Sequence, residues 1–120
     1  MSEIADRIGL LRHPDAGVRR DAALVLGDWL YPRHGMTPDE TRTVHQALMD
    51  AALAESDAAA RVDQLDALLR STPPRLGVTG WAALAQAQYD FDSEGRDLAL
   101  ALIAISGDEE AERIASGGAD

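Results

Sequence analysis

Apolar residues recur along the chain at three- and four-residue intervals, the period of a helix with one buried stripe. Ile4, Ile8 and Leu11 predict a first helix from about Ser2, its N-cap, to Arg12, stopped by His13-Pro14. Asp15 then caps a second helix with Val18, Ala22, Val25, Leu26 and Trp29 on its inner face, ended by the breaker-rich turn Tyr31-Pro32-Arg33-His34-Gly35. The third has the fullest start signal: Thr37 at the N-cap, Pro38 at the first helical position, and Glu40 placed to close a capping box. Val44, Leu48, Ala51 and Ala52 are its stripe. Asp57 caps a fourth helix carrying Val62, Leu65, Leu68 and Leu69, broken by Thr72-Pro73-Pro74. A fifth follows Gly77 to Gly80 with Trp81, Leu84, Ala85 and Gln88 on one face. Asp92 caps a sixth, apolar nearly all round, which should be the most buried or should lose a face to a partner. A short acidic helix, Asp108 to Ala115, leads into the tail Ser116 to Asp120.

Composition agrees with helices alone. Alanine and leucine supply most of the apolar surface and lose little entropy in a helix, whereas β-branched residues never run beyond two together. The expected fold is therefore all-α, and 120 residues suit one domain. The absence of cysteine excludes disulfides, thiolate catalysis and Cys-based zinc sites. All eleven basic residues are arginine, which reflects either a GC-rich genome or the forked contacts that lysine cannot make. The N-terminal residues lack the apolar core of a signal peptide, and the stretch Leu98 to Ile105 is far short of the about 20 residues a bilayer span needs. A cytoplasmic protein without membrane contact is the expectation. The net charge of −10 arises after residue 36: the first 36 residues hold five acids and five arginines, the rest sixteen acids and six arginines. Such a surface repels a phosphate backbone, so no nucleic-acid partner is expected. The acidity serves either solubility or a dedicated surface.

Three segments share one register. Asp15 precedes Arg19 by four residues, Asp57 precedes Arg61, and Asp92 precedes Arg96, with apolar residues eight and eleven positions after each Asp. The units lie 42 and 35 residues apart, within the range of two-helix solenoid repeats. The stretch His13 to Gly27 resembles the second helix of a HEAT repeat. The second unit has Ala60 where the usual residue is valine, and the third has Gly95 there. The resemblance, to short HEAT-repeat proteins of the PBS-lyase type, covers about residues 2–106. It implies an α-α superhelix of three stacked antiparallel pairs, over about 2–31, 37–71 and 77–106, with 107–120 as cap and tail. First helices would form the convex side and second helices the concave side. Asp15, Asp57 and Asp92 would cap helices in a row, and the arginines would stack as a structural ladder.

Chemistry is sparse. His13, His34 and His45 have no metal-ligand spacing and read as solvated turn or helix-surface residues, and no phosphate loop is present. Asp63 and Asp66 share one helix face, as do Asp21 and Asp28, but exposed carboxylates do not divide into acid and base. No catalytic residue, metal or cofactor is expected, and an enzyme or lyase subunit is the least favoured reading. Bilin lyases with HEAT-like helices use longer arrays, and DNA glycosylases with such helices need a basic concave face. Binding is the better reading. The concave face should present Arg20, Asp21, Leu24, Asp28, Asp63, Asp66, Arg70 and Asp97, with acids in excess, as suits a basic protein partner. Tyr31, Arg33 and His34, with Trp29 and Met36, form a less acidic competing site, and Trp29 either belongs to it or fills the gap between repeats. Tyr89 to Asp92 make a second aromatic turn. An adaptor is the first reading, an immunity-type inhibitor masking a basic toxin such as a nuclease the second, and a homodimer would cover the sixth helix.

Overall fold

Each helix of the computed structural model, which describes residues 3–30, 35–70 and 78–117, begins or ends for a local reason. Seven helices are present: α1 (Glu3–Leu10), α2 (Ala16–Trp29), α3 (Pro38–Ala54), α4 (Ala58–Leu69), α5 (Trp81–Ala87), α6 (Ser93–Ser106) and α7 (Glu109–Ala115), with a 3-10 turn, Gln88–Asp90, after α5. No strand occurs among the described residues. The carboxylates of Asp15, Asp57, Asp92 and Asp108 accept the N–H of Gly17, Ala60, Gly95 and Ala111 at 2.7, 2.9, 2.9 and 2.8 Å. Each supplies a partner to a first-turn donor that the helix itself cannot satisfy. At α3 the capping box closes in both directions, Glu40 N–H to Thr37 Oγ1 at 3.1 Å and Thr37 N–H to Glu40 Oε1 at 2.9 Å. Ser2, the expected cap of α1, lies outside the described residues.

The helices form two layers. α2, α4 and α6 pack side by side in one, α1, α3, α5 and α7 follow in the other, and each pair α1–α2, α3–α4 and α5–α6 joins the layers. The expected all-α fold is observed, with α1–α2, α3–α4 and α5–α6 in contact and a short C-terminal helix. The chain measures 49 × 30 × 18 Å between Cα extremes, its thin direction matching two helix layers. Leu26, Leu48, Met49, Leu65, Leu68, Leu84, Leu102 and Ile103 fill the space between them. Alanines at 22, 23, 52, 60, 67, 85 and 99 bring the backbones close. α2 and α4 come close at Gly27, where a Cβ would stand 3.1 Å from the Ala67 Cβ and the Arg70 Cδ. Trp29 is partly buried and packs against this core, as gap filling requires.

Two expectations change. His45 is fully buried, not solvated, because it lies with Thr41, Leu48 and Ala52 on the inward stripe of α3. α6 is not buried all round. Gly95, Ala99, Leu102 and Ile103 face inward, while Ala101, Ala104 and Ile105 are exposed. α7 packs on both α5 and α6 and leaves that outer side of α6 open. The apolar residue eight positions after the capping Asp shows why position in the stack matters. Ala23 and Leu65 are fully buried, whereas Leu100, in the last pair, is partly exposed.

Candidate binding surface

The register arginines turn back on the chain. Arg19 Nη1 donates to the carbonyls of His13 and Pro14 at 2.8 and 3.0 Å. Arg61 donates to the Glu55 carbonyl, and Arg96 to the carbonyls of Gln88 and Tyr89 at 3.2 and 2.9 Å. Each guanidinium therefore ties down the turn that precedes its own helix by donating to carbonyls of that turn. Two of the three also reach the next pair. Arg19 forms a two-pronged ion pair with Glu55, Nε to Oε1 at 2.9 Å and Nη2 to Oε2 at 2.8 Å. The Arg61 guanidinium lies 4.4 Å from the centre of the Phe91 ring. A Cβ at Gly95 would stand 2.9 Å from the capping Asp92 carboxylate but at ordinary contact, 3.5 Å, from the Phe91 side chain. The third unit's departure from the repeat pattern thus leaves room for its own cap.

Glu55 is the one buried carboxylate among the described residues. Burial alone would raise its pKa. The Arg19 fork, the Asp57 N–H at 2.9 Å and the Gln64 amide at 2.8 Å outweigh that and hold it at about 2. All of this serves to join two helix pairs. The sequence reading assigned no role to Glu55. An acid two residues before a repeat's capping Asp was the available signal, but Asp90 occupies the same place in the third unit and is exposed.

The residues expected on the second-helix face fall into three groups. Arg20 Nε meets Asp63 Oδ2 at 2.7 Å, with the arginine half exposed and the carboxylate mostly covered. Arg70 reaches Asp28 at 3.4 Å and Asp66 at 3.3 Å, so it spans α2 and α4 from one side chain. Asp21 and Asp97 are exposed and make no ion pair with any described residue, and Glu94 is exposed on α6 in the same way. Leu24, on α2, is 44% exposed and Ile105, on α6, 36%. Tyr31, Arg33 and His34 lie outside the described residues. Tyr89 is exposed, but its hydroxyl donates to the Ile114 carbonyl at 2.7 Å and so fastens α7.

The sequence reading placed no site on the first-helix layer, yet a groove of about 1070 Å³ opens there between α1, the turn after it and α3. Its walls come from residues about 40 positions apart, such as Arg12 and Ala51, so no local pattern announces it. Among the described residues no helix is long and apolar enough to cross a membrane, and no three His, Asp or Glu side chains cluster as a metal site would need. No protein-family model, no curated protein and no solved structure matches the chain.

Proposed function

We propose that the chain is a protein-interaction module, a short HEAT-type stack whose α2–α4–α6 face receives a basic partner. The observation that carries this reading is how the charges on that face are already spent. Its two arginines, Arg20 and Arg70, are engaged by Asp63, Asp28 and Asp66. Asp21, Asp97 and Glu94 remain exposed without an ion pair among the described residues, beside the exposed side chains of Leu24 and Ile105. Carboxylates around isolated apolar contacts suit a partner that brings arginines or lysines, with steering by the field of a chain of net charge −10. Support for the HEAT-type reading is the Asp-x-x-x-Arg register together with side-by-side packing of α2, α4 and α6.

The structure also changes which residues test it. Reversing Asp63 would break its bond to Arg20 as well as the surface charge. Asp21→Lys with Asp97→Lys removes surface charge alone. A labelled arginine-rich helical peptide should bind the wild type with an affinity that falls as salt rises, and the double variant should bind it at least about tenfold more weakly at unchanged melting temperature. Salt-insensitive binding, or equal binding by the variant, would overturn the reading.

A further inference from the structure

The groove on the opposite layer has the reverse character. Its floor is apolar: Ile8 and Leu11 from the α1 side, and Ala47, Ala51 and Ala54 on one stripe of α3. α1 contributes no fully buried residue, and its Ala5, Ile8 and Gly9 line the groove as one wall. At about 1070 Å³ the groove lies just above the range of about 300–1,000 Å³ for small-molecule sites.

Charge selects the occupant. The chain has 21 acids and 11 arginines, yet the lining holds Arg12, Arg19 and Arg42 against Asp50 and Glu55. Arg19 and Glu55 neutralise one another. Asp50 accepts from the Gln46 amide at 3.0 Å and keeps its charge, so the lining holds one more arginine than it holds carboxylates. Arg12 makes no ion pair with a described residue, and Arg42 has only an exposed bridge to Asp39 one turn away on its own helix, at 3.0 Å. Such a bridge is worth well under about 1 kcal/mol and is readily exchanged. Two arginines thus stand at the rim of an apolar floor in a protein that is otherwise acidic.

We infer that this groove receives a short acidic amphipathic helix of a partner protein, its apolar face on the Ala47–Ala51–Ala54 stripe and its carboxylates at Arg12 and Arg42. The walls are helices with no free strand edge, so backbone pairing is not on offer and a helix laid in the groove is the mode that fits. Alanines along the floor let the incoming backbone come close. The protein would then hold a basic partner on one layer and an acidic segment on the other.

The probe is a fluorescein-labelled peptide with leucines at helical spacing and glutamates elsewhere, titrated at near-physiological salt against the full chain. A counterpart with arginine for glutamate is the control. Saturable binding of the acidic peptide is expected, weakened about tenfold or more by Arg12→Glu with Arg42→Glu, both exposed sites whose reversal repels the ligand. Ala51→Leu, which fills the floor, should weaken it too. Asp21→Lys with Asp97→Lys should not, so failure here and failure of the α2–α4–α6 reading are told apart. No binding of the acidic peptide, binding that survives both groove variants, or displacement of it by the arginine peptide would each overturn the inference.

Discussion

Between the first and second helix pairs the register arginine, Arg19, ends in a carboxylate; between the second and third, Arg61 ends on a ring. The first seam carries a polar network beside its apolar core. Glu55 gathers Arg19, Gln64 and the Asp57 N–H, and Arg20–Asp63 and Arg70–Asp28 cross it nearer the surface. The second seam uses an aromatic face. The repeat supplies an arginine at one place each time, and the residue opposite decides whether the seam is sensitive to pH. A guanidinium suits both partners because it is always charged, planar and weakly hydrated.

The largest expected effect is at Glu55. Glu55→Ala strips the mostly buried Arg19 of its counterion and Gln64 of its acceptor, and should cost about 3 kcal/mol by urea unfolding, the low end for a broken buried pair. The pH dependence follows from the same group. Its folded pKa of about 2 lies below the ordinary 4.5, so its contribution is complete above about pH 4.5 and is lost as pH falls towards 2. The stability gap between wild type and Glu55→Gln should therefore shrink over that window. A gap that stays constant down to pH 2 would mean the carboxylate is not held in its charged form by this network.

The middle effect is at the second seam. Phe91→Leu keeps an apolar side chain of similar bulk but removes the ring face from Arg61. The expected cost is about 1 kcal/mol, the scale of a partly desolvated cation–π contact, with no change in slope between pH 5 and pH 2 relative to wild type. A pH-dependent loss would erase the distinction between the seams.

What was legible in the sequence divides along a similar line. The caps at Asp15, Thr37, Asp57 and Asp92 could be read because donor and acceptor lie within three residues of each other. The stack could be read because one register recurs three times. Glu55 could not, since its arginine is 36 residues away and meets it only once α2 lies beside α4. The burial of His45 is hidden for a different reason. Its spacing from Thr41, Leu48 and Ala52 marks the inward stripe, but an ionisable residue type outweighed position. For the second-helix face, the sequence suggested which residues share a surface but not that Arg20 and Arg70 are already paired, because those pairs join α2 to α4 across 43 and 42 residues.

The smallest effect tests how the surface part of the polar seam relates to binding. Arg20 is half exposed, so its bond to Asp63 works in nearly full water and should contribute about 0.2–1 kcal/mol. Arg20→Ala should lower stability by that amount at low salt and by almost nothing at high salt, where Glu55→Ala retains most of its cost because its pair is covered. Binding should move the opposite way. Removing Arg20 releases Asp63 to the α2–α4–α6 face, so the arginine-rich peptide should bind more tightly while the protein becomes slightly less stable. Urea unfolding and anisotropy titration of the same variant give both signs. If affinity for the basic peptide falls with Arg20→Ala, the face is not read through its free carboxylates, and the two seams differ in stability alone.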